Sequence, residues 1–213
     1  MINQYESPEL RASRGFTLLE LMLVITVAAV ILGLAVPNFR EFALNNRMTG
    51  AANDLLAAVH IARAEAIKRR TPIVMCFSSN PNDAAPNCDG DGTQGWIVFA
   101  DDADPTTPST NDNNVQVDTG EEVFIRHSGF TNITVNSIPS GNAGYVAYTT
   151  AGFRREVTGV GPDVDGVVLC DSRGNVALHG PAHSTARGFT VSPTGRPAIT
   201  RAVDRITDLG GCL

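Results

Sequence analysis

The chain has 213 residues, 43% of them apolar and 18% charged, a balance suited to one folded domain of real core size plus an additional segment. Sixteen lysines and arginines against 22 aspartates and glutamates leave a formal net charge of −6, which argues against a general electrostatic attraction to nucleic acid or anionic lipid.

The first fifteen residues are mostly polar, with Arg11 and Arg14 offset by Glu6 and Glu9. An apolar run follows from Phe16 to Val36. Between Leu21 and Val36 there is no charge, and Thr26 is the one polar side chain. As a helix rising about 1.5 Å per residue, this run is roughly 31 Å long, enough to cross a bilayer core. A carboxylate, Glu20, sits in its first turn. A cleaved secretory signal is one reading, with Gly33-Leu34-Ala35 as the processing site, but Glu20 interrupts the apolar core and the run is long. A plain membrane anchor is a second reading. It gives the carboxylate no task, although a charge inside a spanning helix costs about 2.5–3.5 kcal/mol at mid-membrane and less near an end. Arg11 and Arg14 on one side, against Arg40 and Glu41 on the other, point the N-terminus to the cytoplasm and the rest outward.

Pro37 is expected to kink the helix, since it lacks an amide donor and crowds the preceding turn. Beyond it Met48, Ala52, Leu55, Val59, Ala62 and Ala66 recur at spacings of three and four and define an apolar stripe. Lys68, Arg69 and Arg70 suit the negative end of a helix dipole, and Thr71-Pro72 stops it. The same cations with Arg63 are a candidate ligand patch, although charge on a solvated helix end is the simpler reading.

From Pro72 the period becomes that of strands. Ile73–Phe77 and Gly95–Ala100 are the first two, separated by the polar stretch Ser78–Gln94. Within it Asp89-Gly90-Asp91-Gly92 has a calcium-loop flavour but lacks the further spaced ligands and closing Glu, so it reads as a turn. Asp101–Asn114 is a second polar loop. Further strands are expected at Glu122–Arg126, Ile133–Val135, Tyr145–Tyr148 and Val167–Cys170. Two hairpins follow, one from Val167–Cys170 to Val176–Leu178 and one from Gly188–Val191 to Arg196–Thr200, each with a glycine late in its turn. Ala202–Leu213 shows no regular period.

Four cysteines fit an oxidising compartment and allow three pairings. Cys76 with Cys88, closing a polar loop, and Cys170 with Cys212, tethering the tail, is the favoured one. Free buried thiols or a metal site are the alternatives, and the lack of CxxC speaks against zinc. His60, His127, His179 and His183 are scattered, and no GxSxG, HExxH or P-loop pattern occurs. Neither an enzyme nor a cofactor or metal is expected. Trp96 beside an apolar strand reads as core.

Gly15-Phe16-Thr17-Leu18-Leu19-Glu20, the apolar run and the break at Pro37 resemble the N-terminus of type IV pilins and pseudopilins. Met75-Cys76-Phe77-Ser78, Gly95-Trp96-Ile97-Val98-Phe99, Cys170-Asp171-Ser172-Arg173-Gly174 and Ser192-Pro193-Thr194-Gly195-Arg196 extend the resemblance to the GspH/FimT branch, its minor pilins and minor pseudopilins. The resemblance implies an α+β fold: a long N-terminal helix, transmembrane and then amphipathic, packed on antiparallel β-sheets. It implies a leader 1–15, a transmembrane or filament-core helix 16–36, an amphipathic helix 37–71 and a periplasmic β-rich domain 72–213. It also implies cleavage between Gly15 and Phe16 by the prepilin peptidase, methylation of the Phe16 amine, and pairing of Glu20 with a neighbouring subunit's N-terminus. The implied partners are that peptidase, other major and minor pilins or pseudopilins, and the bacterial inner membrane, crossed once. Pilus and type II secretion are not separated. Some FimT-like members bind DNA through a Gly-Arg-x-Arg motif. Here Gly195-Arg196-Pro197-Ala198 lacks the second arginine, although Arg187, Arg201 and Arg205 are close in sequence, so Arg196 and Arg201 stand as candidate DNA contacts.

Overall fold

The computed structural model describes residues 15–102, 113–138, 144–157, 159–160, 163–178 and 183–212, with Pro37, Ser137 and Ile138 described by their backbone alone. The leader with Arg11 and Arg14, most of the Asp101–Asn114 loop and His179 lie outside the described residues. Two compact units emerge, one ending at Ala43 and the other beginning at Leu44.

The long helix α1 covers Leu18–Arg69, and its backbone remains helical across Pro37. In the second unit its expected stripe is the buried face: Met48, Ala51, Ala52, Leu55, Ala58, Val59, Ala62 and Ala66 are withdrawn from solvent. Small alanines on that face let the helix sit close to a sheet. Lys68 and Arg69 occupy the last turn, Arg70 takes a left-handed conformation (φ 57°), and Pro72 prevents continuation.

Among the described residues nine strands follow: β1 (Ile73–Phe77), β2 (Gly95–Ala100), β3 (Val123–Ser128), β4 (Thr134–Ile138), β5 (Tyr145–Tyr148), β6 (Arg154–Arg155), β7 (Gly166–Cys170), β8 (Arg187–Val191) and β9 (Pro197–Thr200). They form a five-stranded sheet ordered β3-β2-β1-β5-β6 and a four-stranded sheet ordered β4-β7-β8-β9, with antiparallel pairing throughout. All five residues of β1 are buried, and the two-residue strand period explains how. Ile73, Met75 and Phe77 face the core that contains the α1 stripe, whereas Val74 and Cys76 enter a second cluster with Ile97, Phe99, Tyr145, Ala147, Val115 and Val157. β7 divides in the same manner: Val167 and Leu169 join the helix-facing core, and Val168 and Cys170 join a third cluster with Ala186 and Ile206. Trp96, 1% exposed, lies in the helix-facing core.

Two expectations are corrected. Val176–Leu178 is not a strand, and the region contributes only an isolated bridge between Ala177 and Ser184. Both edges of β7 are already occupied, by β4 and β8, and Val176 is exposed, so no ladder remains for it to join. The tail after Ala202 contains a short helix α2 (Val203–Asp208). With one buried side chain, Ile206, it is too short to display a period. The two-residue strand β6 also falls below what alternation can signal.

Arg154 and Tyr148 join the two sheets. The Arg154 guanidinium donates to the carboxylates of Asp163 (2.5 Å) and Asp165 (2.9 Å) and to the Val191 carbonyl (2.8 Å). The Tyr148 hydroxyl donates to the Gly195 carbonyl at 3.1 Å, and burial pushes that phenol up to about 12.

Candidate functional site: the N-terminal segment and its exposed helix

Gly15, Phe16 and Thr17 precede the helix, and Glu20 lies in its first turn. The Glu20 amide donates to Thr17 Oγ1 at 3.2 Å, and the Leu21 amide donates to the Thr17 carbonyl at 3.1 Å. Thr17 is therefore the N-cap, and Thr17-Leu18-Leu19-Glu20 has the spacing of a capping box. The cap fixes the turn on which the carboxylate is carried. That role was readable in the Thr-x-x-Glu spacing, which is obscured by the more conspicuous apolar run. A carboxylate here also meets the positive end of the helix dipole.

Every residue from Gly15 to Val36 is exposed, including Leu21, Met22, Leu23, Ile25, Ile31 and Leu32. Apolar area of that extent is unfavourable in water and requires a lipid or protein cover. α1 is long and apolar enough in this part to cross a membrane. Its one uncharged polar side chain there, Thr26, donates to the Met22 carbonyl at 2.7 Å, so its hydroxyl is satisfied within the helix as hydrocarbon demands.

The other candidates sit in the second unit. Arg196 and Arg201 are exposed, as is Arg205. Arg187 is only 2% exposed: it donates to the Ser184, Thr185 and Ala186 carbonyls and to Thr49 Oγ1 on α1. Burial, with repulsion from Arg201 and Arg173, pushes its guanidinium down to about 10. It is a structural clamp, which removes it from the candidate phosphate contacts around Arg196. Arg173 clamps the same helix one turn earlier, donating to Asn45 Oδ1 at 3.1 Å while held by Asp171. Neither clamp was legible in sequence, because the helical acceptors lie more than a hundred residues away. The helix-end cations are similarly engaged: Lys68 and Arg69 pair with Glu65, Arg69 also pairs with Glu122, and its guanidinium lies 4.1 Å from the Phe124 ring centre.

Cys76 is bonded to Cys88 and Cys170 to Cys212. Asp89 Oδ1 accepts from the Ser79 amide and hydroxyl, and Asp91 Oδ1 from the Thr93 amide, so both carboxylates brace the loop. Among the described residues no three His, Cys, Asp or Glu side chains gather as a metal site. His60 and His183 are exposed, and His127 stacks on Trp96 with ring centres 3.8 Å apart.

Among the described carboxylates Asp101 is the most displaced. Its buried carboxylate accepts from the Asn114 and Val115 amides and lies 3.5 Å from Arg155, yet burial outweighs these partners and raises it to about 6. The folded carboxyl thus holds its proton more tightly than the unfolded one. Its contribution to stability is complete below about pH 3.8 and is lost as pH rises through about 6. In urea melts of the full chain in detergent, the protein is expected to gain on Asp101→Asn as pH falls from neutrality through that window. A difference that does not vary with pH would contradict this.

The molecule thus combines a capped, fully exposed apolar helix with a helix-on-sheets domain. Residues 10–36 match the prokaryotic N-terminal methylation motif, and residues 51–196, about two thirds of the chain, match the family described as type II transport protein GspH. The chain belongs to the GspH family. A fimbrial protein of Pseudomonas aeruginosa is 30% identical over 74 residues, 35% of this chain and 46% of that protein. The type IV major alpha-pilin of Moraxella bovis is 27% identical over an equal span. The chain thus matches less than half the length of these curated relatives. Among solved structures, the type IV minor pilin FimU of Pseudomonas aeruginosa (strain PAO1) is 18% identical, with a TM-score of 0.46 over 75% of this chain and 92% of that one.

Proposed function

We propose that this chain is a structural subunit, a minor pilin or pseudopilin, that primes or caps a type IV pilus or a type II secretion pseudopilus. The carrying observation is the register Gly15-Phe16-x3-Glu20 at the head of an apolar helix with no exposed face that water would favour. In this reading the prepilin peptidase cuts before Phe16 and methylates the new amine, and the helix holds the subunit in the inner membrane with its domain in the periplasm. A carboxylate entering an apolar filament core needs a cationic partner, and the N-terminal amine of an adjacent subunit supplies one to Glu20. The two disulfides support an oxidising compartment for the domain.

Intact-mass measurement of the membrane-bound protein tests the processing. Loss of residues 1–15 with one added methyl is expected only where the prepilin peptidase is present, and maturation in its absence would overturn the reading. Glu20→Gln, which keeps the shape and removes the charge, is expected to abolish most incorporation into sheared filaments while processing continues. Unchanged incorporation would reject the pairing role.

A further inference from the structure

The exposed apolar surface does not end with the uncharged run. Phe39 and Phe42 are 69% and 60% exposed, and their ring centres lie 6.5 Å apart. Their spacing of three puts both on one side of α1. They flank the first charged residues after the run, Arg40 and Glu41. Just before them, Asn38 Nδ2 donates to the Leu34 carbonyl at 3.0 Å, so this polar side chain folds back onto the helix. Phe39 and Phe42 are the first large apolar side chains beyond Val36, arriving where charge begins.

Axial distance decides what these rings meet. At about 1.5 Å per residue, Phe39 lies roughly 31 Å and Phe42 roughly 36 Å along the axis from Leu18. A bilayer core is about 30 Å thick, and about 40–45 Å with its headgroup layers. With Leu18 at one edge of the hydrocarbon, both rings fall within the opposite headgroup layer. An apolar helix face bearing phenylalanine beside basic residues buries at the headgroup–acyl boundary, and Arg40 between the two rings can extend its cation to lipid phosphate.

We propose that Phe39 and Phe42 form an aromatic anchor seated at the headgroup boundary distal to Phe16, in contact with phospholipid, which sets how far the helix rises from the bilayer before assembly. This rests on the membrane-subunit reading above. A neighbouring subunit is the competing occupant of the same rings.

The chain has a single tryptophan, Trp96, buried in the domain, so an added indole is read against a fixed background. The full chain carrying Phe39→Trp or Phe42→Trp is reconstituted into phosphatidylethanolamine–phosphatidylglycerol vesicles whose acyl chains are brominated either near the headgroup or near the methyl end. Leu32→Trp reports the middle of the run. Expected is loss of most of the added emission at positions 39 and 42 to the shallow bromines, with position 32 quenched chiefly by the deep ones. Quenching at 32 with none at 39 or 42 overturns the anchor, leaves the membrane reading intact and indicates a protein partner for the rings. Deep quenching at 39 and 42 places them within the hydrocarbon and also overturns the anchor. Absence of quenching at 32 overturns the membrane reading and the anchor together.

Discussion

Alanine in place of both Cys170 and Cys212 is expected to lower unfolding stability by about 4 kcal/mol, against about 3 kcal/mol for the Cys76–Cys88 pair. The difference follows from chain separation: the first bond spans 42 residues and the second 12. A larger closed loop removes more freedom from the unfolded chain, and the dependence is logarithmic, so the gap is modest. The longer bond also has more structure depending on it. Cys212 packs in a small cluster with Val168, Cys170, Ala186, Ile206 and Leu209, and Asn136 donates to the Gly211 carbonyl at 3.3 Å. Without the bond, α2 is retained chiefly by Ile206, and its fraying should accompany the loss. Denaturant melts of both double variants check the order, and amide exchange in Val203–Leu209 checks the location. A larger penalty for the short bond would show that native packing around Cys76 outweighs loop closure.

Gly195→Ala is the second large effect, expected at about 3 kcal/mol, or roughly 8 °C in the unfolding midpoint. Gly195 has φ 76°, where a side chain is strained. A Cβ there would also lie 2.7 Å from Tyr148 Cε1 and 2.9 Å from the Gly152 carbonyl oxygen. The neighbours are an aromatic ring and backbone, neither of which yields cheaply. Moving the β8–β9 turn away would stretch the hydrogen bond from Tyr148 to the Gly195 carbonyl, which joins the two sheets. Arg196→Ala, one residue on and exposed, is expected to fall within about 0.5 kcal/mol of the parent. Thermal melts of the two variants separate the dipeptide: the glycine belongs to the fold, and any function of the arginine must be read by another assay. Equal melts would refute the steric argument.

Legibility of the fold followed the length of each pattern. The α1 stripe from Met48 to Ala66 repeats over several turns, and Ile73–Phe77 and Gly95–Ala100 are unbroken apolar runs, so helix and central strands could be placed from periodicity. β6 and α2 are too short to carry a period. Val176–Leu178 looked like a strand because local propensity is blind to whether a neighbouring edge is free. At the N-terminus the register from Gly15 to Glu20 is contiguous and readable, and so was the cap once Thr17 and Glu20 are compared. The Arg173 and Arg187 clamps depend on which distant side chains α1 brings to them, and no local spacing encodes that.

Both cystines lie behind the sheets, one in each outer cluster, and neither involves the helix. Within the second unit, the seam between α1 and the strands is fastened by apolar packing, by the Asn45 and Thr49 contacts and by the Arg69 contacts to Glu122 and Phe124, all of them non-covalent. A tensile load on the domain would therefore meet covalent reinforcement at the outer layers and none along that seam. Under force the helix should shear from its sheets before either cross-linked layer unravels, and because no covalent bond is broken in that slip, it can reseat when the load is released.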